Sequence, residues 1–274
     1  MPNMRITRWL APLLALGANA SAGGGSLPAL QERPWEGYFI AHETRGYHFG
    51  LGCDGEGVIR PLNRKGEPAG HKEISLRFTV EETLPDGRVV ARQIDPESLA
   101  TTDKATTKPE AVKFTGKVTG GASFEATTTI DGERFEVGGR VVDPGAAKNP
   151  LRFAVRLYAR EFYPGAEADD KQFQRKVKDD EIRFETVDGK RGKIEMAEPV
   201  DVARATGAKG LSLLRMEAAA YEGRRFEFSA TPGGAIEIQN PAAGKLLIDG
   251  MTLTWRHDPA KDPEGKARLA VEIR

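Results

Sequence analysis

The residues best equipped for chemistry lie in one short stretch, His42-Glu43-Thr44-Arg45-Gly46-Tyr47-His48, with Asp54 and Glu56 close behind. Two imidazoles and a carboxylate are a donor set that can hold a divalent metal. If Thr44-Arg45-Gly46 forms a tight turn, His42 and His48 stand near each other on adjacent strands, and they are the candidate metal ligands. Their spacing is not that of H-E-x-x-H, where two histidines four apart share one face of a helix. Histidines beside a turn are also common as surface or packing residues. His71 and His257 have no neighbours that specify a site.

A second set could stack on a ligand. Trp35, Tyr38 and Tyr47 lie close in sequence, and Trp255 lies near the far end. On one open sheet face these rings would form a platform for carbohydrate. The competing reading is that they fill the core, where aromatics are mostly found.

Nucleophile motifs are missing. None of Ser75, Ser98, Ser123, Ser212 and Ser229 sits in G-x-S-x-G. No G-x-x-x-x-G-K and no G-x-G-x-x-G ahead of a helix is present, and no cofactor is indicated. Paired carboxylates of the glycosidase kind remain open, because their separation is spatial and 40 acidic residues offer many pairs. Cys53 is the single cysteine, so no internal disulfide forms. Nothing in its sequence neighbourhood supplies the base or positive setting of a reactive thiol.

The elements that must position these residues are strands. In Ala122–Val142, Phe124, Ala126, Thr128 and Ile130 alternate with Ser123, Glu125, Thr127 and Thr129, which describes one buried and one wet face. Asp131-Gly132 suits a two-residue type I′ turn. Phe135, Val137 and Val141 return on the inward parity. This turn places Phe135 opposite Thr128, Val137 opposite Ala126, and Phe124 opposite Gly139, across which the Phe124 ring can lie.

The same alternation recurs along the chain. Further strands are predicted over Gly37–His42, Tyr47–Cys53, Val58–Asn63, Lys72–Thr83, Arg88–Ile94, Val112–Val118 and Leu151–Phe162. Beyond these come Glu181–Val187, Lys193–Met196, Leu211–Tyr221, Arg224–Ala230, Ala235–Gln239, Lys245–His257 and Ala267–Ile273. Residues 95–110 have no period and read as a polar loop, and Pro199–Gly210 has room for one short helix. Short strands and turns at this spacing predict an all-β fold, an antiparallel β-sandwich or two tandem sandwich units. The order Phe49…Asp54-Gly55…Ile59 echoes Phe184…Asp188-Gly189…Ile194, which fits a duplication without establishing one.

Residues 1–22 read as an export signal. Arg5 and Arg8 precede the short apolar run Trp9–Gly17, and the small-x-small sites Ala18-Asn19-Ala20 and Ala20-Ser21-Ala22 follow. The run is too short for a membrane span. Residues 23–34 read as a flexible leader, 35–163 as an N-terminal β domain, 164–180 as a charged linker, and 181–274 as a C-terminal β domain. Within the linker, Phe173 and Val177 are four apart and predict a turn of helix.

The chain carries 40 basic and 40 acidic residues, and losing the signal's two arginines leaves it slightly acidic. Interleaved signs at near neutrality argue against a nucleic-acid partner. The expectation is an exported, periplasmic or extracellular, non-enzymatic binding or structural module of a bacterial envelope, with carbohydrate or another envelope protein as partner and no transmembrane segment in the mature chain. The alternatives are a secreted polysaccharide hydrolase using a carboxylate pair, or a metal-dependent site at His42 and His48.

Overall fold

A computed structural model describes residues 27–70, 73–160, 162–164, 171–242 and 244–274. The predicted export signal and His71 lie outside the described residues. The chain forms β1 (Tyr38–Glu43), β2 (Tyr47–Gly52), β3 (Glu56–Pro61), β4 (Ile74–Thr83), β5 (Val89–Arg92), β6 (Ile94–Ala100), β7 (Ala111–Val118), β8 (Ser123–Asp131), β9 (Arg134–Asp143) and β10 (Leu151–Arg160). After helix α1 (Lys171–Val177) come β11 (Glu181–Thr186) and β12 (Arg191–Glu195). Helix α2 (Val202–Thr206) precedes β13 (Leu211–Glu217), β14 (Arg225–Ala230), β15 (Gly234–Gln239), β16 (Gly250–His257) and β17 (Leu269–Ile273). Among the described residues no helix is long and apolar enough to cross a membrane.

The fold is all-β and antiparallel: every ladder between these strands runs that way, and together they form one sheet. One run is β1–β2–β3–β4–β10–β16–β15, with β5 also on β4. The other is β12–β11–β13–β14–β17–β9–β8–β7–β6. A single residue pair, Leu211 with Ile236, joins β13 to β15 and so joins the two runs. The sheet curls until its outermost strands approach: Ile40 of β1 bridges Thr106, just past β6, and Ala41 N–H donates to the Thr106 carbonyl at 3.1 Å.

The ladders β10–β16 and β17–β9 tie residues before 164 to residues after 180, and one apolar cluster runs through both stretches. The two predicted β domains therefore share a sheet and a core. The predicted linker is anchored at its far end. Residues 171–177 form α1, Val177 is buried, and Asp180 accepts hydrogen bonds from the Tyr163 hydroxyl and the Ala219 N–H. The predicted leader is likewise docked over residues 27–34. Leu27 is buried and its N–H donates to the Cys53 carbonyl, while Leu30 N–H donates to Tyr38.

The inner face is packed with rings. Phe49 stacks on Phe135 at 4.5 Å, Phe78 meets Phe114 edge-on at 5.4 Å, and Phe124 meets Phe153 at 5.7 Å. Each buried ring contributes about 1.5–3 kcal/mol relative to exposure. The β8–β9 hairpin keeps the predicted inward parity, but its turn falls one residue later. Gly132-Glu133 is the loop, and only Gly132 has positive φ (+57°), as a type II′ turn allows. The pairing consequently differs by two residues. Phe135 faces Ile130, Val137 faces Thr128, and Phe124 faces Val141. The ring lying against Gly139 is Phe153 and not Phe124.

Strand β6 was expected to be loop. It pairs with β7 irregularly and buries only Leu99, so it carries no alternation to read.

Candidate functional site

Thr44-Arg45-Gly46 does turn the chain, held by Thr44 N–H on the Tyr47 carbonyl and by Gly46 and Tyr47 N–H on the Thr44 hydroxyl. Its register separates the two histidines. His42 stands opposite Phe49, and His48 stands opposite Glu43. Direct partners in a ladder share a face and sequence neighbours do not, so the two imidazoles point to opposite sides of the sheet. They cannot converge on one ion. No group of three or more His, Cys, Asp or Glu suited to a metal occurs among the described residues. His42 instead hydrogen-bonds the Gly132 carbonyl at 2.9 Å, linking β1 to the β8–β9 turn.

On the other face, Trp35 donates its indole N–H to Glu43 at 2.7 Å and packs edge-on against Tyr38 and His48 at 5.4 and 5.8 Å. Tyr38 lies over Gly50, where a Cβ would meet its ring at 2.6 Å. Arg60, opposite His48, pairs with Glu73. Burial lowers the His48 pKa from its ordinary value, with Glu43 opposing and Arg60 reinforcing that shift. These groups satisfy one another.

The four aromatic candidates do not assemble into a platform. Trp35 is buried, Tyr38 is half-buried, and Tyr47 and Trp255 are fully enclosed on the inner face. Cys53 is half-buried. Its thiol donates to the Gly37 carbonyl at 3.1 Å, and burial together with Asp54 pushes its pKa up, away from thiolate.

A cavity opens elsewhere, on the outer face beside β15. After the Leu211–Ile236 pair, β13 turns away to stay with β11 and β14 while β15 stays with β16. The gap left where they part is bordered by small residues, among them Ala203, Gly207, Ala208, Gly210, Gly233 and Ala235, which cannot fill it. The resulting cleft has a volume of about 930 Å³. Ladder partners put Arg152, Arg256, Ala235 and Glu237 on this face, because Ala154 faces Arg256 and Arg256 faces Ala235. Lys209, Asp258 and Lys261 come from loops, Val187 from the end of β11, and Val89 from β5.

The charges here are unequal. Four cations (Arg152, Lys209, Arg256, Lys261) meet two carboxylates (Glu237, Asp258). Arg256 bonds both Glu237 and the buried Glu81, which also receives Arg156 at 2.5 Å. Burial opposes ionisation of Glu81, but the hydrogen bonds from Arg256 and Arg156 outweigh it and hold its carboxyl below the usual range. Lys261 pairs with Asp258 at 3.3 Å and Lys209 with Asp188 at 3.6 Å. Burial opposes ionisation of Asp258 too, but Lys261, the Ala260 N–H and the field of Arg152 hold its pKa down. Arg152 itself is exposed and makes no ion pair with a described residue.

Beneath this cleft, Trp255 lies against Gly234, whose missing side chain its indole nitrogen would overlap. That N–H has no hydrogen-bond partner among the described residues. His257 is buried alongside, its Nε2 2.8 Å from the Asp262 carbonyl and 3.3 Å from the Asp262 carboxylate. This pair fastens the loop after β16.

Sequence reading missed the cleft because its walls come from residues 89, 152, 187, 203–212 and 230–261. A faint signal existed. Val89 and Val187 are apolar residues at strand ends beside the Asp86-Gly87 and Asp188-Gly189 turns, and both are exposed, at 48% and 44%.

No family model and no curated protein matches the chain. Among solved structures, the chain is similar to the Slr1438 protein from Synechocystis sp. PCC 6803, at 9% identity and a TM-score of 0.41, covering 84% of this chain and 92% of that one. It is similar also to a bacterial glucoamylase complexed with acarbose, at 8% identity and a TM-score of 0.41, covering 91% of this chain and 35% of that one.

Proposed function

We propose that the protein is an exported, non-enzymatic binding module of the cell envelope, and that its ligand sits in the cleft beside β15. The observation that carries this reading is the cleft itself, a preformed space of about 930 Å³ left by the parting of β13 and β15. Small-molecule sites fall in the range of roughly 300–1,000 Å³. Binding is favoured over hydrolysis because both cleft carboxylates already have a cation on them, Arg256 on Glu237 and Lys261 on Asp258. A glycosidase needs one carboxyl to keep its proton for the leaving group. Export is supported by the charged, apolar and small-residue regions of residues 1–22.

The test is a thermal-shift screen of small envelope components, saccharides included, on the protein and on Ala235→Trp, which fills the cleft from its floor. Compounds that raise the melting temperature of the first and not the second support the reading. Compounds that act equally on both place the ligand elsewhere.

A further inference from the structure

Resting on the cleft as the binding site, we infer that its ligand is an organic anion, a carboxylate or phosphate read by Arg152, with a short aliphatic portion held against Val89 and Val187. Two independent features of the cleft point there. The first is charge. Four cations line the cleft, and Lys209, Lys261 and Arg256 pair with Asp188, Asp258 and Glu237, which leaves one cation in excess. Arg152 has none within ion-pair distance among the described residues, and its guanidinium presents the planar fork that suits a carboxylate or phosphate. An anion arriving there completes a pairing that the fold leaves open.

The second feature is apolar. Four large hydrophobic residues are strongly exposed among the described residues, and two of them, Val89 and Val187, border this one cleft. They come from β5 and from the end of β11, so sequence proximity does not explain the coincidence. Exposed aliphatic side chains beside a cationic site favour a ligand with a methylene chain next to its acid group. No Phe, Tyr or Trp lines the cleft among the described residues, and His257 there is buried, which removes the usual stacking surface for a neutral sugar.

Calorimetric titration of the full chain with octanoate, octyl phosphate and the neutral octyl glucoside tests this. Octanoate or octyl phosphate binds, more weakly as salt rises, and whichever binds identifies the head group. Arg152→Gln weakens that binding on the order of tenfold, the loss of one charge-assisted contact. Arg152→Lys recovers part of it, and Val89→Asp weakens it as well. If octyl glucoside binds as tightly and Arg152→Gln changes nothing, the anion inference is overturned while the cleft survives as a site for a neutral ligand. If neither anion binds, the inference also falls. If an anion binds and Ala235→Trp leaves it untouched, the cleft is not the site and the functional reading falls with it.

Discussion

The β1–β2 region and the cleft beside β15 contain the same kinds of groups in opposite states of commitment. At β1–β2 most polar side chains answer one another, the enclosed Tyr47 hydroxyl excepted. The Trp35 indole is on Glu43, His42 is on a carbonyl, and Arg60 is on Glu73. At the cleft the backbone parts, small residues leave the gap unfilled, and Arg152 stays free of any ion pair with a described residue. The stretch richest in chemically able residues is thus a structural joint. The proposed site is built from residues whose sequence signal is faint. What distinguishes them is not residue type but whether a partner is already present.

The largest expected effect sets the interior against the cleft mouth. Trp255→Ala removes a fully buried ring beneath the cleft and should cost about 3–5 kcal/mol. Arg152→Gln, at an exposed side chain, should stay within about 0.5 kcal/mol. Urea unfolding measures both. Equal losses would erase the contrast between a filled interior and an open cleft.

A smaller effect tests the β8–β9 register. A side chain at Gly139 overlaps the Glu125 carbonyl and the Phe153 ring, so Gly139→Val should cost about 1–3 kcal/mol. A double variant with Phe153→Leu should recover part of that loss. Recovery with Phe124→Leu instead would restore the pairing expected from sequence.

The smallest concerns His48. Its folded pKa is lowered mainly by burial, so the unfolded chain takes the proton more readily. Stability is then fully present above the ordinary value of 6.5 and declines as pH falls below it. His48→Gln should flatten the urea midpoint between neutral and mildly acidic pH. An unchanged slope would mean that the Trp35–His48 contact is open to water.

Most strands were legible because period-2 alternation survives wherever one face is buried, as in Phe124 to Ile130 or Ile74 to Val80. Parity could be read, but pairing partners could not. The slipped β8–β9 register keeps every inward residue inward, so the pattern alone does not select it. Glu81 illustrates another limit. It reads as an outward residue, yet it is 2% exposed because Arg156 and Arg256 from two other strands close over it. The cleft was nearly invisible for the same reason, since it exists only where β13 leaves β15. His42 and His48 had the right chemistry, but the β1–β2 register, which the sequence does not display, puts them on opposite faces.

One feature of the sheet governs when this fold can be completed. Strand β17 is an interior strand, with β14 on one side and β9 on the other. During synthesis, β9 has no partner on that side until Ile273 has left the ribosome. The early strands must wait, with an open edge, for a segment made long after them. Such pairing over large sequence separation is slow, and the waiting edge is a template for other chains. The hazard to this fold is therefore one of timing, set by how long the edge of β9 stays open and not by how firmly the finished sheet holds together.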